Sequence, residues 1–166
     1  MKKTIIGLFL LVLSFQMNSQ TIALPDTFIS LNYEYLEALE IDNEPLRVKK
    51  LEKTVLNYNN KEIADLCDTD KDVVNVSFYV DNCNIIASYD KNGKIIKTIE
   101  KYNNVRLPLS VMQAIAKQYP DCGIVEDVYL VKYQSNNNTV RKEYKVKIKS
   151  KDEILTVKTN EKGDFI

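Results

Sequence analysis

The chain has 166 residues, with 23 basic and 23 acidic side chains, no histidine, no tryptophan and ten tyrosines. Its length bounds the fold to one domain or to two small repeats sharing a core, and 45% apolar content excludes a disordered chain. The balanced charge argues against a nucleic-acid surface, and the lack of histidine removes the commonest general base.

At the start, Lys2 and Lys3 precede an apolar run from Ile5 to Leu13 broken only by Gly7, and polar residues follow from Ser14. That order, with the small Ser19 ahead of the break, is the pattern of a cleavable secretory signal peptide. An apolar run of about nine residues is half of the ~20 that span a bilayer, so no stable membrane insertion is expected. We expect residues 1–19 to be removed near Ser19 and the rest to be periplasmic or secreted. Loss of the two lysines leaves 21 basic and 23 acidic groups, a net charge of −2.

Residues 20–44 read as a lead-in segment, with Leu36 and Leu39 at helical spacing but no clear cap. Pro45 suits the first turn of a helix, and Val48, Leu51, Val55 and Tyr58 then mark an apolar stripe, with Lys49, Lys50, Glu52 and Lys53 assigned to the solvent side. Residues 73–80 alternate as a strand, 84–89 form a second, and Asp90-Lys91-Asn92-Gly93 is a tight-turn signature before a third from Lys94 to Tyr102. After Pro108 a second helix is expected, with Met112, Ile115, Ala116 and Tyr119 on one face and Pro120 as its stop. Strands are expected near 124–133, 140–149 and 153–159. In the middle one Tyr144, Val146 and Ile148 face inward and Lys145, Lys147 and Lys149 face water.

The two halves suggest a repeat. A shift of 61 residues sets Val48, Leu51, Val55, Tyr58 and Ile63 against Leu109, Met112, Ala116, Tyr119 and Ile124, while a shift of 70 aligns Asp90–Ile96 with Asn160–Ile166. The expected fold is α+β: an antiparallel sheet with two helices packed on one face, built from tandem units at 45–104 and 105–166.

Few constellations carry chemistry. Asp68, Asp70 and Asp72 have the alternate spacing of a calcium loop, but Val73 stands where glycine belongs and Tyr79 where the closing glutamate belongs, so a solvated acidic loop is the expectation. Ser110 and Lys117 lie two turns apart on one expected helix with nothing else marking a dyad. Glu126 and Asp127, adjacent on a strand, point to opposite faces and cannot share a substrate. No catalytic residue, cofactor or metal is therefore expected. Cys67, Cys83 and Cys122 allow at most one disulfide within the chain, and free thiols are equally open. Among the tyrosines, Tyr58, Tyr119 and Tyr144 suit the interior, whereas Tyr79, Tyr129 and Tyr133 are candidates for a contact surface on the exposed sheet face.

The stretch Ser88-Tyr89-Asp90-Lys91-Asn92-Gly93-Lys94-Ile95-Ile96, then Leu107-Pro108-Leu109-Ser110-Val111-Met112-Gln113-Ala114-Ile115 and Tyr119-Pro120, resembles the PepSY-like exported proteins of Bacteroidetes-type bacteria. That family is similar in fold to the β-lactamase inhibitor protein. The resemblance covers residues 73–166 and extends weakly over 45–72; Asn160 and Glu161 depart from the aspartate common at the last turn. It implies a non-catalytic exported binding module that inhibits or regulates a protein partner in the cell envelope. The alternative is a periplasmic carrier of a small apolar ligand held between helix and sheet.

Overall fold

Period-two alternation of apolar and polar residues organises most of this chain. In the computed structural model, which describes residues 31–40, 44–58, 63, 73–151 and 153–166, six strands form one sheet. They are β1 (Val73–Val80), β2 (Cys83–Asp90), β3 (Ile95–Asn103), β4 (Gly123–Gln134), β5 (Thr139–Ser150) and β6 (Glu153–Thr159). Neighbours in the sheet follow chain order, and every pair is antiparallel. Among the described residues three α-helices, α1 (Tyr33–Leu39), α2 (Leu46–Leu56) and α3 (Leu109–Gln118), accompany the sheet in an α+β fold. Residues 1–30, including the expected signal peptide, lie outside the described residues, as do Cys67, Asp68, Asp70 and Asp72. Among the described residues no helix is long and apolar enough to cross a membrane.

Two turns are built alike. The Asp90 carboxylate accepts the N–H groups of Asn92 and Lys94, each at 2.9 Å, and the Asn160 side-chain oxygen accepts those of Lys162 and Asp164, each also at 2.9 Å. Gly93 and Gly163 supply φ values of +81° and +87°. Asp and Asn are interchangeable here because the turn needs only an acceptor on a short stem and a residue tolerant of positive φ.

The core lies on one face of the sheet. Ile85, Ala87, Tyr89, Tyr102, Tyr129, Val131, Tyr133, Tyr144, Val146 and Ile148 meet Tyr35, Leu39, Val48, Leu51, Val55, Leu56, Val111 and Ile115 from the helices. Each fully buried aliphatic side chain contributes roughly 1.5–3 kcal/mol. Register aligns Tyr102, Tyr129 and Tyr144 across β3, β4 and β5, and their rings stack with centroids 5.8 and 4.5 Å apart.

Several sequence expectations are corrected. The segment read as a lead-in contains α1, whose Tyr35 and Leu39 are fully buried. On α2 the buried stripe is Val48, Leu51, Glu52, Val55 and Leu56, so Glu52 belongs to the core side. On α3 the buried residues are Val111 and Ile115, while Met112 and Ala116 are exposed. The 61-residue alignment therefore pairs unlike sites: Val48 is buried whereas Leu109 is 65% exposed. Pro45 and Pro108, 63 positions apart, occupy the same N-cap position, and buried Val48 and Val111 share that spacing. Cys83 is a buried free thiol and Cys122 a partly buried one.

Candidate functional site

Residues that alternate with the core side chains form the outer face of the sheet. Cross-strand register sets Ser77, Ile86, Ile99, Lys132 and Arg141 in one row, and Tyr79, Asn84, Lys101, Leu130 and Glu143 in the next. Lys97 lies before them and Lys145, Lys147, Lys149 and Lys158 beyond them. Basic residues thus number eight against Glu126 and Glu143, with Asp90 at the end of β2 taken up by its own turn. Arg141 pairs with Glu143 at 3.6 Å and Lys147 with Glu126 at 2.9 Å. The other six cations have no ion pair among the described residues. No described helix covers this face, because the buried residues of all three helices belong to the core on the other side.

Across the molecule, a cleft of about 610 Å³ opens where α2 and α3 begin. Its apolar wall is Pro45, Leu107, Pro108, Leu109 and Met112, and Glu40, Glu44, Arg106, Lys142 and Glu161 supply charge. Lys142 holds this corner together: its ammonium lies 2.8 Å from Glu44 and donates to the Leu39 carbonyl at the end of α1 at 3.0 Å. The Tyr129 hydroxyl donates to the same Glu44 oxygen at 2.8 Å.

Beneath α2 lies a buried carboxyl pair. Glu100 accepts hydroxyl hydrogen bonds from Thr98 at 2.6 Å, Tyr102 at 2.6 Å and Tyr35 at 3.0 Å, all inside the core. Burial raises the Glu100 carboxyl above its usual range, and the three hydroxyls oppose that rise by favouring the charged form. Glu52, at 0% exposure, has no hydrogen-bond partner on either oxygen at good geometry. Burial first, and then the Glu100 charge, push it well above the carboxylate range, with Lys142 opposing. Glu52 therefore carries a proton at neutral pH. Neither is exposed, so the pair offers a stored proton rather than a surface for a substrate.

Of the tyrosines expected on a contact surface, Tyr79 is 70% exposed, but Tyr129 and Tyr133 are fully buried. The register explains the correction: Tyr129 lies directly opposite inward-facing Tyr144, and Tyr133 shares its side of β4. Alternation alone gives a strand two faces without saying which is inner. Ser110 donates to the Glu161 carbonyl at 2.6 Å, tying α3 to the last turn. Glu126 and Asp127 point to opposite faces, Asp127 accepting the Val105 N–H at 3.1 Å. The basic outer face and the buried Glu52 were missed. The first was foreshadowed by the Lys-x-Lys-x-Lys alternation of β5, and the second by the i, i+4 spacing of Glu52 from Val48. Among the described residues no cluster of three metal-ligating side chains occurs. No protein-family model, no curated protein and no solved structure matches this chain.

Proposed function

We propose that this chain is an exported, non-catalytic binding module of the PepSY-like kind that inhibits or regulates a protein partner in the cell envelope. In this reading α2 with β1–β3 and α3 with β4–β6 are tandem units, and both helices lie over one sheet face. The matching turns at Gly93 and Gly163 and the proline N-caps 63 positions apart support the repeat. The observation that carries the function is the outer face, where eight basic residues oppose two acidic ones on a chain of zero formal net charge. Such a surface fits an acidic partner surface, with Ile86, Ile99 and Leu130 as its apolar interior.

The protein immobilised and exposed to envelope extract should retain one protein at near-stoichiometric yield. The triple variant Lys145→Glu, Lys147→Glu, Lys149→Glu should lose it at least tenfold. Recovery of no protein by the wild type, or equal recovery by the variant, would count against the proposal. N-terminal sequencing of the exported protein should read from Gln20 or a close neighbour. The carrier alternative draws support from the cleft, whose volume lies within the ~300–1,000 Å³ of small-molecule sites. Against the sheet α2 is tightly seated, with Val48, Leu51, Val55 and Leu56 buried and the Tyr89 hydroxyl donating to the Val55 carbonyl at 2.8 Å, which leaves the cleft as the place for a ligand. Native mass spectrometry showing only the bare chain would retire that reading.

A further inference from the structure

Among the described residues the sheet has two edge strands, β1 and β6, and the two differ. At β6 the strand carries Glu153 and Lys158, and the chain end folds back so that Thr159 bridges Phe165 and the Ile166 N–H bonds the Lys158 carbonyl at 3.0 Å. Charges and a covering segment are the usual devices that prevent an edge from recruiting another strand. β1 has neither among the described residues. It pairs with β2 on one side and with no described strand on the other. Its sequence, Val73-Val74-Asn75-Val76-Ser77-Phe78-Tyr79-Val80, contains no charge, no proline and no glycine over eight residues. Val73, Tyr79 and Val80 are 42%, 70% and 48% exposed, and Val74, Val76 and Phe78 on the helix side are only partly buried. The last three directly face Tyr89, Ala87 and Ile85 on β2 and have no strand partner among the described residues on the other side.

We infer that this edge is closed by β1 of a second copy of the chain, antiparallel about a two-fold axis perpendicular to the sheet, which makes one continuous sheet from the two. The occupant must be a strand with a free edge, no charge, and β-branched or aromatic residues at alternate positions; β1 itself meets each requirement. With the axis through Val76, Val74 of one copy lies opposite Phe78 of the other, and Asn75 opposite Ser77. With the axis through Ser77, Val76 lies opposite Phe78. Both registers keep Val74, Val76 and Phe78 on the helix face and Asn75 and Ser77 on the outer face, and neither brings like charges together. A single strand pair buries less than the roughly 1,600 Å² of a standard interface, so the dimer is expected to depend on concentration.

Sedimentation equilibrium of the full exported protein should show a monomer–dimer equilibrium by about 200 μM. The outward-facing pair Asn75→Lys, Ser77→Lys places like charges across the seam in either register and should weaken association at least tenfold. Mixing it with Asn75→Glu, Ser77→Glu should restore a heterodimer, an outcome that a folding defect in either variant would not produce. Independently, amide exchange on the wild type should slow in β1 as concentration rises. Monomeric wild type across this range, a double-lysine variant that dimerises as the wild type does, or β1 protection that appears only on adding envelope extract would overturn the second copy as occupant, the last in favour of a strand from a partner.

Discussion

Glu52 is raised from the ordinary carboxylate range by burial and by the Glu100 charge, so the folded chain holds a proton that the unfolded chain releases above about pH 4.3. Between that value and the raised one the native state binds more protons, and stability must fall as pH rises. Glu52→Gln keeps the shape without the titration. It should stabilise the protein by on the order of 1–3 kcal/mol at pH 8 and by little at pH 5, flattening the pH dependence. Urea melts at the two pH values measure this; equal destabilisation at both would contradict the assignment of the proton. The position was legible and its role was not. Val48, Leu51, Glu52, Val55 and Leu56 form one helical stripe, but a glutamate among Lys49, Lys50 and Lys53 reads as solvated, and its partner Glu100 lies 48 residues away in the chain. The same non-locality hid the burial of Tyr129 and Tyr133.

At the scale of elements, the last turn docks against α3. A Cβ at Gly163 would stand 2.7 Å from the Ser110 carbonyl oxygen and 3.1 Å from the Ala114 Cβ, at a φ of +87°. Gly163→Ala should therefore cost about 1–3 kcal/mol, whereas Gly123→Ala, with nothing within 4 Å of the new methyl, should change stability by no more than ~0.5 kcal/mol. Chemical denaturation of both variants tests the contrast, and equal losses would remove the docking argument. Strands and turns were readable because period-two patterns and Asn-Gly or Lys-Gly corners are local signals. The phase of α3 was not, because Leu109, Val111, Met112, Ala114, Ile115 and Ala116 surround much of the helix with apolar side chains, and docking against the last turn selects among them. α1 has seven residues and no side-chain N-cap bond. It is held by tertiary contacts: Tyr35 bonds Glu100, and the Asn32 side chain just before it accepts the Ile95 N–H at 2.8 Å and donates to the Gly93 carbonyl at 3.4 Å. No reading of local propensity finds such a helix.

Over the whole molecule, charge sorts by sheet face more than by sequence half. Residues 20–100 carry 9 basic and 15 acidic groups and residues 101–166 carry 12 and 8, an imbalance that would let the two halves neutralise each other. Instead, alternation sends Lys145, Lys147 and Lys149 to the same outer surface as Lys97 and Lys101 from the first half, and the proposed dimer would double that surface without placing its charges at the seam. Partner binding should accordingly weaken with ionic strength, while dimerisation through uncharged β1 should not; sedimentation and capture measured at low and high salt separate the two. The stacked rings of Tyr102, Tyr129 and Tyr144 have an optical consequence in a protein without tryptophan. Near-ultraviolet circular dichroism and intrinsic emission report on tyrosines, and the stack makes a close-coupled set at the centre of the sheet. Burial holds the hydroxyls of Tyr35, Tyr89, Tyr102, Tyr129 and Tyr144 above their ordinary range, so stability is lost as pH climbs beyond the unfolded value of about 10. In an alkaline titration these chromophores should turn to tyrosinate together with the collapse of the dichroic band, giving the protein a built-in spectroscopic gauge of its own core.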